Sequence, residues 1–145
     1  MKEENELLQY IYQTTTMGKS SLKNLLEALN DKDNKIKKII EKHLDEYEKY
    51  YSESEKLLNE NNIKPKNKGP MIEMMNKMGI NMNVMKDNSD SKMAEMIMQG
   101  LTMGIIEMEK KIKDYKGEVD KDVIKLAKNV LKFQEKSLEE IKKYL

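Results

Sequence analysis

Residues 25–40 read LLEALNDKDNKIKKII, and the turn inside this stretch decides the fold. The leucine-rich part ends before Asn30, the isoleucines resume at Ile36, and the polar run NDKDN lies between them. Asparagine and aspartate favour turns and can cap the first residues of a helix. The stretch therefore predicts two helices joined by a short turn, which is an antiparallel helical hairpin.

Apolar or small residues extend from this turn in both directions at alternating spacings of three and four, the pattern of one helical face. The upstream face consists of Leu8, Ile11, Thr15, Gly18, Leu22, Leu25 and Leu29. The downstream face, in a helix predicted over residues 33–60, consists of Ile36, Ile40, His43, Tyr47, Tyr50, Ser54 and Leu57. We expect the first hairpin to occupy residues 2–60.

A second hairpin is predicted over residues 89–145. The run DNSDS at 87–91 offers N-cap residues for a helix that ends near Tyr115, and Gly117 suits the position that follows a helix end. Asp120 can cap a last helix. The apolar face of that helix consists of Val123, Leu126, Ala127, Val130, Leu131, Phe133, Leu138 and Ile141.

The triplet TMG occurs at residues 16–18 and again at 102–104. The first copy is followed by Lys-Ser, as at the end of a P-loop, but a P-loop needs glycine where this chain has Gln13, and also a preceding strand. We therefore predict that both glycines lie within helices, at places where two helices approach closely or where a large side chain such as Tyr47 needs room. The two triplets are 86 residues apart, and a shift of 86 residues also aligns the apolar positions of the two hairpins. Internal duplication and chance similarity both explain that alignment.

The connection between the hairpins, residues 61–88, is predicted to be a polar linker followed by a Met-rich crossover. The linker contains both prolines of the chain, and Gly79 predicts a helix stop within the crossover. Its methionines are candidates for an apolar lid on the third predicted helix or for a surface that receives an apolar ligand or a partner protein. These methionines are Met71, Met74, Met75, Met78, Met82 and Met85. The lid is expected because the third helix carries Met96, Met103 and Ile106 outside its main apolar face, and such a helix needs cover.

Several polar side chains fall on the predicted buried faces. They are His43, Tyr47, Tyr50, Thr15 and Gln134. Because buried polar groups usually satisfy one another, we predict a hydrogen-bonded polar layer in the core. A small polar pocket or a mononuclear metal site is the alternative for the same residues.

The resulting architecture is all-α, an antiparallel four-helix bundle of two hairpins with the Met-rich crossover between helices two and three. It resembles the ferritin-like four-helix bundle, and the chain as a whole resembles a family of short bacterial proteins of unknown function. The ferritin-like resemblance implies a dinuclear metal site built from glutamates and Glu-x-x-His motifs. This chain departs from that motif, because His43 is its one histidine and Ile40 precedes it by three residues. No metal, cofactor or catalytic residue is therefore predicted.

Composition narrows the function further. The chain has 145 residues, the size of one domain over residues 1–145, with no cysteine and a net charge of +1. The absence of arginine and of a basic surplus argues against nucleic acid. No segment resembles a membrane span or a signal peptide, which predicts a cytoplasmic protein away from membranes. The sequence favours a non-catalytic protein that has a structural role or binds a partner or ligand. A homodimer is compatible with it. A divergent ferritin-like metal or redox protein is the competing hypothesis.

Overall fold

A computed structural model of the chain describes residues 2–66 and 70–145, which form five α-helices. The helices are α1 (Lys2–Ala28), α2 (Lys37–Glu60), α3 (Pro70–Lys86), α4 (Asp90–Tyr115) and α5 (Lys121–Lys142). The described residues contain no strand, so the predicted all-α class is confirmed. The predicted number of helices is wrong, because the crossover forms a helix of its own. Residues 67–69 of the predicted linker lie outside the described part.

Three residues that the sequence predicts at helix ends lie there in the structure. The Ser89 hydroxyl accepts a hydrogen bond from the Lys92 backbone N–H at 3.2 Å and so caps α4. Gly117 follows the end of α4 with a φ of 85°, a left-handed conformation that glycine adopts without steric penalty. Asp120 stands at the N-cap of α5, but its side chain makes no capping bond.

The residues just before α2 are held by a side chain from another part of the chain. Predicted to begin near residue 33, α2 begins at Lys37, and its own N-cap residue makes no side-chain bond. The Asp90 carboxylate instead accepts from the Lys35 N–H at 3.2 Å and from the Asn34 side-chain amide at 2.9 Å. A carboxylate suits a helix N-terminus, where backbone N–H groups lack partners and the dipole is positive. Asp90 thereby ties the α1–α2 turn to the start of α4.

Packing is tight on three sides of the molecule and loose on the fourth. α1 packs along α2, α4 along α5, and α2 against α5, whereas α1 meets α4 over a short length. The core contains fully buried side chains from all four of these helices. Among them are Leu8, Ile11, Ile40, Met93, Met108, Val130 and Ile141. Space is therefore available between α1 and α4.

α3 leans on α1 and not, as expected, on α4. Ile80 and Val84 are its buried side chains, and the Asn76 amide donates to the Ser21 hydroxyl of α1 at 2.8 Å. Gly79 does not stop the helix. Because these contacts with α1 fix α3 from outside, tertiary packing overrides the weak local preference of a glycine-containing segment.

The methionines of α3 lie mostly in solvent, because Ile80 and Val84 form the face that meets α1. Met74, Met75, Met78, Met82 and Met85 are between 57% and 86% exposed. The expected lid, which would bury methionines such as Met74 and Met78 against α4, is therefore wrong, and the side chain of Met71 lies outside the described part. On α4, Met103 and Ile106 are exposed as well, so α3 does not cover them.

Candidate functional site

A cavity of about 490 Å³ occupies the loose side of the molecule. α1, α3 and α4 form its walls, while α2 and α5 supply side chains at its floor. The volume falls within the range of pockets that hold small molecules, roughly 300–1,000 Å³.

The walls of the cavity are largely apolar. They include Leu22 and Leu25 of α1, Ile80 of α3, and Ile97 and Leu101 of α4. Methionines from α1, α3 and α4 also line it, and methionine side chains adapt to the shape of what they contact. Such walls suit an apolar body of variable shape.

Four glycines line the cavity, and they differ in what stands opposite them. A Cβ atom on Gly18 would lie 2.5 Å from Cζ of Tyr47, and one on Gly104 would lie 2.8 Å from Nε2 of Gln134. The predicted role of Tyr47 in filling the space at Gly18 is confirmed. Beyond the neighbouring residues of their own helices, no described atom would lie within 4 Å of a Cβ on Gly79 or Gly100. These two glycines therefore leave space that no described part of the chain uses. Each of them also costs about 1 kcal/mol of helix stability relative to alanine.

The floor of the cavity carries two polar side chains with unpaired atoms. Gln134 is 2% exposed and Ser137 is 1% exposed. Among the described residues, neither the Gln134 Oε1 atom nor the Ser137 Oγ atom has a hydrogen-bond partner. Both residues line the cavity, although the two unpaired atoms themselves have almost no accessible surface.

His43 separates this cavity from a smaller, charged hollow of about 240 Å³ between α2 and α5. Its Nε2 atom lies 3.4 Å from Glu140 Oε1, and the other carboxylate oxygen of Glu140 lies 2.8 Å from Lys42 Nζ. Burial lowers the pKa of His43 below its ordinary value, which outweighs the opposite effect of the Glu140 hydrogen bond. The cavity-facing imidazole is therefore preferentially neutral.

The structure buries every residue of the predicted polar layer, namely His43, Tyr47, Tyr50, Thr15 and Gln134. No hydrogen bond among the described residues joins them to one another, so the expected hydrogen-bonded layer is wrong in its bonding. The Thr15 hydroxyl donates to the Ile11 carbonyl of its own helix at 2.8 Å. His43, Tyr47 and Gln134 line the cavity, whereas Thr15 and Tyr50 do not.

Three of these residues pack around the ring of Phe133 instead of bonding to one another. The Phe133 ring lies 4.8 Å from the Tyr47 ring and 6.0 Å from the His43 ring, both edge to face. It also contacts the Tyr50 ring at 5.4 Å. Burial raises the pKa of Tyr47 to about 12, so this phenol stays protonated in the core. Phe133 therefore orients the residues at the cavity floor.

Ser137 is a site residue that the sequence prediction missed. Leu138 was expected on the buried face, yet Ser137 is buried and Leu138 is half-buried. The available signal was spacing, because Ser137 follows Gln134 by three residues and precedes Ile141 by four, which places all three on one helical face.

No group of three or more histidine, aspartate or glutamate side chains in the described part of the chain could share a metal ion. The carboxylate nearest to His43 belongs to Glu140, which is already paired with Lys42. The described side chains thus do not fit the dinuclear site that a ferritin-like protein holds.

Comparisons with known proteins gave no match. No protein-family model matches the chain, and neither a curated protein nor a solved structure does. Within the described residues, no helix is long and apolar enough to cross a membrane.

Proposed function

We propose that this protein is a non-catalytic binding protein whose cavity between α1, α3 and α4 holds a small molecule with an apolar body. The observation that carries the proposal is the cavity of about 490 Å³ itself, with largely apolar walls and two lining glycines, Gly79 and Gly100, that have open space where a side chain would stand. A bound molecule fills the space that the described side chains leave open.

Energetic cost supports a binding role over an accidental gap. Each buried polar atom without a partner costs about 1–3 kcal/mol, and the two unfilled helical glycines cost about 1 kcal/mol each. The whole stability of a domain is about 5–15 kcal/mol. A ligand that fills the space beside the two glycines returns part of that free energy on binding.

Entry requires one wall to move, and α3 is suited to that role. We propose that α1, α2, α4 and α5 form a four-helix bundle of the ferritin-like kind, and that α3 is its movable side. Contacts with α1 hold α3, including the Asn76–Ser21 hydrogen bond and a Lys77–Glu27 ion pair at 3.6 Å. Since α3 has little contact with α4, it can swing on α1 and widen the cavity.

A fluorescence titration with N-phenyl-1-naphthylamine, which brightens in apolar surroundings, tests the proposal. The wild type should bind one dye per chain. Gly100→Leu places a large side chain in the unfilled space and should weaken dye binding at least tenfold. Gly100→Ala is the matched control for the change in helix propensity, and Thr102→Leu, at an exposed position on α4, adds the same side chain outside the cavity. Both controls should bind as the wild type does.

The exposed methionines of α3 offer the dye a second place to bind, and the variants separate the two sites. Equal binding by Gly100→Leu and the wild type would locate the dye on that surface and reject the cavity. A partner-binding surface would then be the better hypothesis. Stoichiometric iron, manganese or copper in the purified protein would instead favour the ferritin-like metal protein.

A further inference from the structure

We infer that the exposed methionine face of α3 joins two copies of this chain, α3 against α3 in antiparallel orientation about a two-fold axis. This inference goes beyond the proposed cavity function and concerns the face of α3 that points away from α1. Three features carry it: the spacing of the methionines, the small amount of charge beside them, and the length of the face.

The exposed methionines of α3 have the spacing of a coiled-coil seam. Four of them follow one another at gaps of three, four and three residues, which is the a/d spacing that faces a partner helix. A fifth lies beside them, and at 100° per residue all five fall within an arc of about 100°. That arc is as wide as the apolar stripe that a surface helix usually turns toward a core. The members of this methionine row are Met74, Met75, Met78, Met82 and Met85, which are between 57% and 86% exposed.

The methionine row cannot turn inward, because the opposite face of α3 is already occupied. Ile80 and Val84 lie on that face and are buried, and the Asn76 amide donates to Ser21 of α1 at 2.8 Å. In the described part of the chain, five of the eight large apolar side chains that stay exposed belong to α3. Apolar side chains concentrated in this way mark a contact surface, and methionine is enriched in such surfaces.

The flanks of the methionine row favour a second copy as the partner. Charged residues beside a coiled-coil seam set partner choice, but here Gly79 and Asn81 occupy two of those positions. Lys77 is paired with Glu27 of α1 at 3.6 Å. A row of methionines with so little charge beside it is complementary to itself, since flexible thioether side chains adapt to one another. A two-fold axis then brings the same row of both copies together.

Lys86 determines the orientation of the two helices. It flanks the methionine row at its C-terminal end. A parallel pair would bring the two Lys86 side chains together, whereas an antiparallel pair separates them by the length of the row, about 18 Å for residues 74–85. Antiparallel helix dipoles also attract each other. With the axis level with residue 80, Met78 of each copy lies opposite Met82 of the other.

The size of the contact predicts a dimer that dissociates on dilution. A contact about 18 Å long and one helix wide, about 10 Å, falls short of the ~800 Å² that each partner contributes to a standard interface. Interfaces at the small end of the range are weak and transient. We therefore expect a dissociation constant in the micromolar range.

Sedimentation equilibrium between about 5 and 500 μM, a range that brackets micromolar affinity, tests the inference. The average mass of the wild type should rise from that of one chain to that of two. Met78→Glu combined with Met82→Glu should weaken association about a hundredfold, because carboxylates would face each other across the axis. Met78→Glu combined with Met82→Lys is the matched variant. It should associate about tenfold more tightly than the double glutamate variant, since the antiparallel pair sets opposite charges against each other.

Controls separate a loss of pairing from a loss of folding. Met78 and Met82 are exposed and do not line the cavity, so both double variants should keep the wild-type circular dichroism spectrum and the dye affinity of the cavity. Met103→Glu adds a carboxylate at an exposed methionine of α4 and should leave the dimer intact. Loss of dye binding with the dimer retained would reject the proposed function alone.

Four outcomes would overturn the inference. The first is a wild type that remains monomeric at the highest concentration, and its binding to vesicles of phosphatidylcholine and phosphatidylglycerol would then assign the methionine row to a membrane surface. The second is a dimer that the double glutamate variant leaves undiminished, which would place the contact elsewhere. The third is equal dissociation by Met103→Glu, which would reject the assignment to α3. If the variant with Met82→Lys associates no better than the double glutamate variant, the antiparallel pairing is wrong.

Discussion

Replacement of Gly18 by alanine tests how closely α1 and α2 approach at the cavity wall. The added Cβ would lie 2.5 Å from Cζ and 2.8 Å from Cδ1 of Tyr47, well inside the 3.5–4.0 Å at which carbon atoms attract. The Tyr47 ring is 7% exposed and is held edge-on by Phe133 at 4.8 Å. The ring cannot move aside without disturbing that packing.

The net effect on stability is the difference between two opposing terms. Overpacking of a dense core costs about 1–3 kcal/mol, and so short a contact with a fixed ring belongs at the upper end. Alanine returns about 1 kcal/mol through its higher helix propensity. We therefore expect Gly18→Ala to lower the free energy of unfolding by about 2 kcal/mol, which for a chain of this length lowers Tm by roughly 7 °C.

Gly100→Ala is the matched control, because no described atom would lie within 4 Å of its Cβ. It should raise the free energy of unfolding by up to about 1 kcal/mol. Thermal and urea unfolding followed by circular dichroism would measure both variants. A double variant, Gly18→Ala with Tyr47→Leu, isolates the contact: in the Tyr47→Leu background, alanine at position 18 should no longer destabilise. Equal stabilisation by Gly18→Ala and Gly100→Ala would refute the close approach of Tyr47 to α1.

Two further predictions concern His43 and α3. Burial lowers the pKa of His43 in the folded state below the ordinary value of 6.5. As pH falls through 6.5, the imidazole is therefore protonated in the unfolded chain before it is protonated in the folded protein. The free energy of unfolding should decrease from that pH down to the folded pKa. NMR titration of the ring and melting curves between pH 7.5 and 5.5 measure this. His43→Gln removes the chain's one histidine and should flatten the dependence of Tm on pH, even though the charged Glu140, Lys42 and Glu46 remain nearby. A titration midpoint at or above 6.5 would contradict the desolvated ring. Backbone amides of residues 74–86 should exchange with deuterium well before those of α1 and α5, because two buried apolar side chains hold this described part of α3; equal protection would show that α3 is an integral part of the core.

The paired helices were predictable because their periodicity is strong. Every large aliphatic residue on the predicted upstream face, such as Leu8 and Leu22, is buried. The same rule places His43, Tyr47 and Gln134 inside without any knowledge of the fold. Periodicity reports which face is buried, however, and not what each buried group bonds to. That is why the burial of these residues could be predicted while their hydrogen bonding could not.

α3 was not predictable from its local sequence. Its methionines recur at spacings of three, four and seven residues and share one helical face, whereas Ile80 and Val84 lie on the opposite face. Two apolar faces leave the buried side undecided, and Gly79 breaks the run of helix-forming residues. Ile80 and Val84 make the difference, since they lie one helical turn apart and are buried. Whether they meet α1 or α4 depends on tertiary packing, about which their own segment carries no signal.

The cavity follows from the same choice of partner. If α3 packed on α4, its buried side chains would shield the exposed Met103 and Ile106. Since it leans on α1 instead, the gap between α1 and α4 stays open above Gln134 and Ser137, and their polar atoms stay unpaired. One packing preference thus accounts for both the exposed Met103 and Ile106 of α4 and the open cavity between α1 and α4.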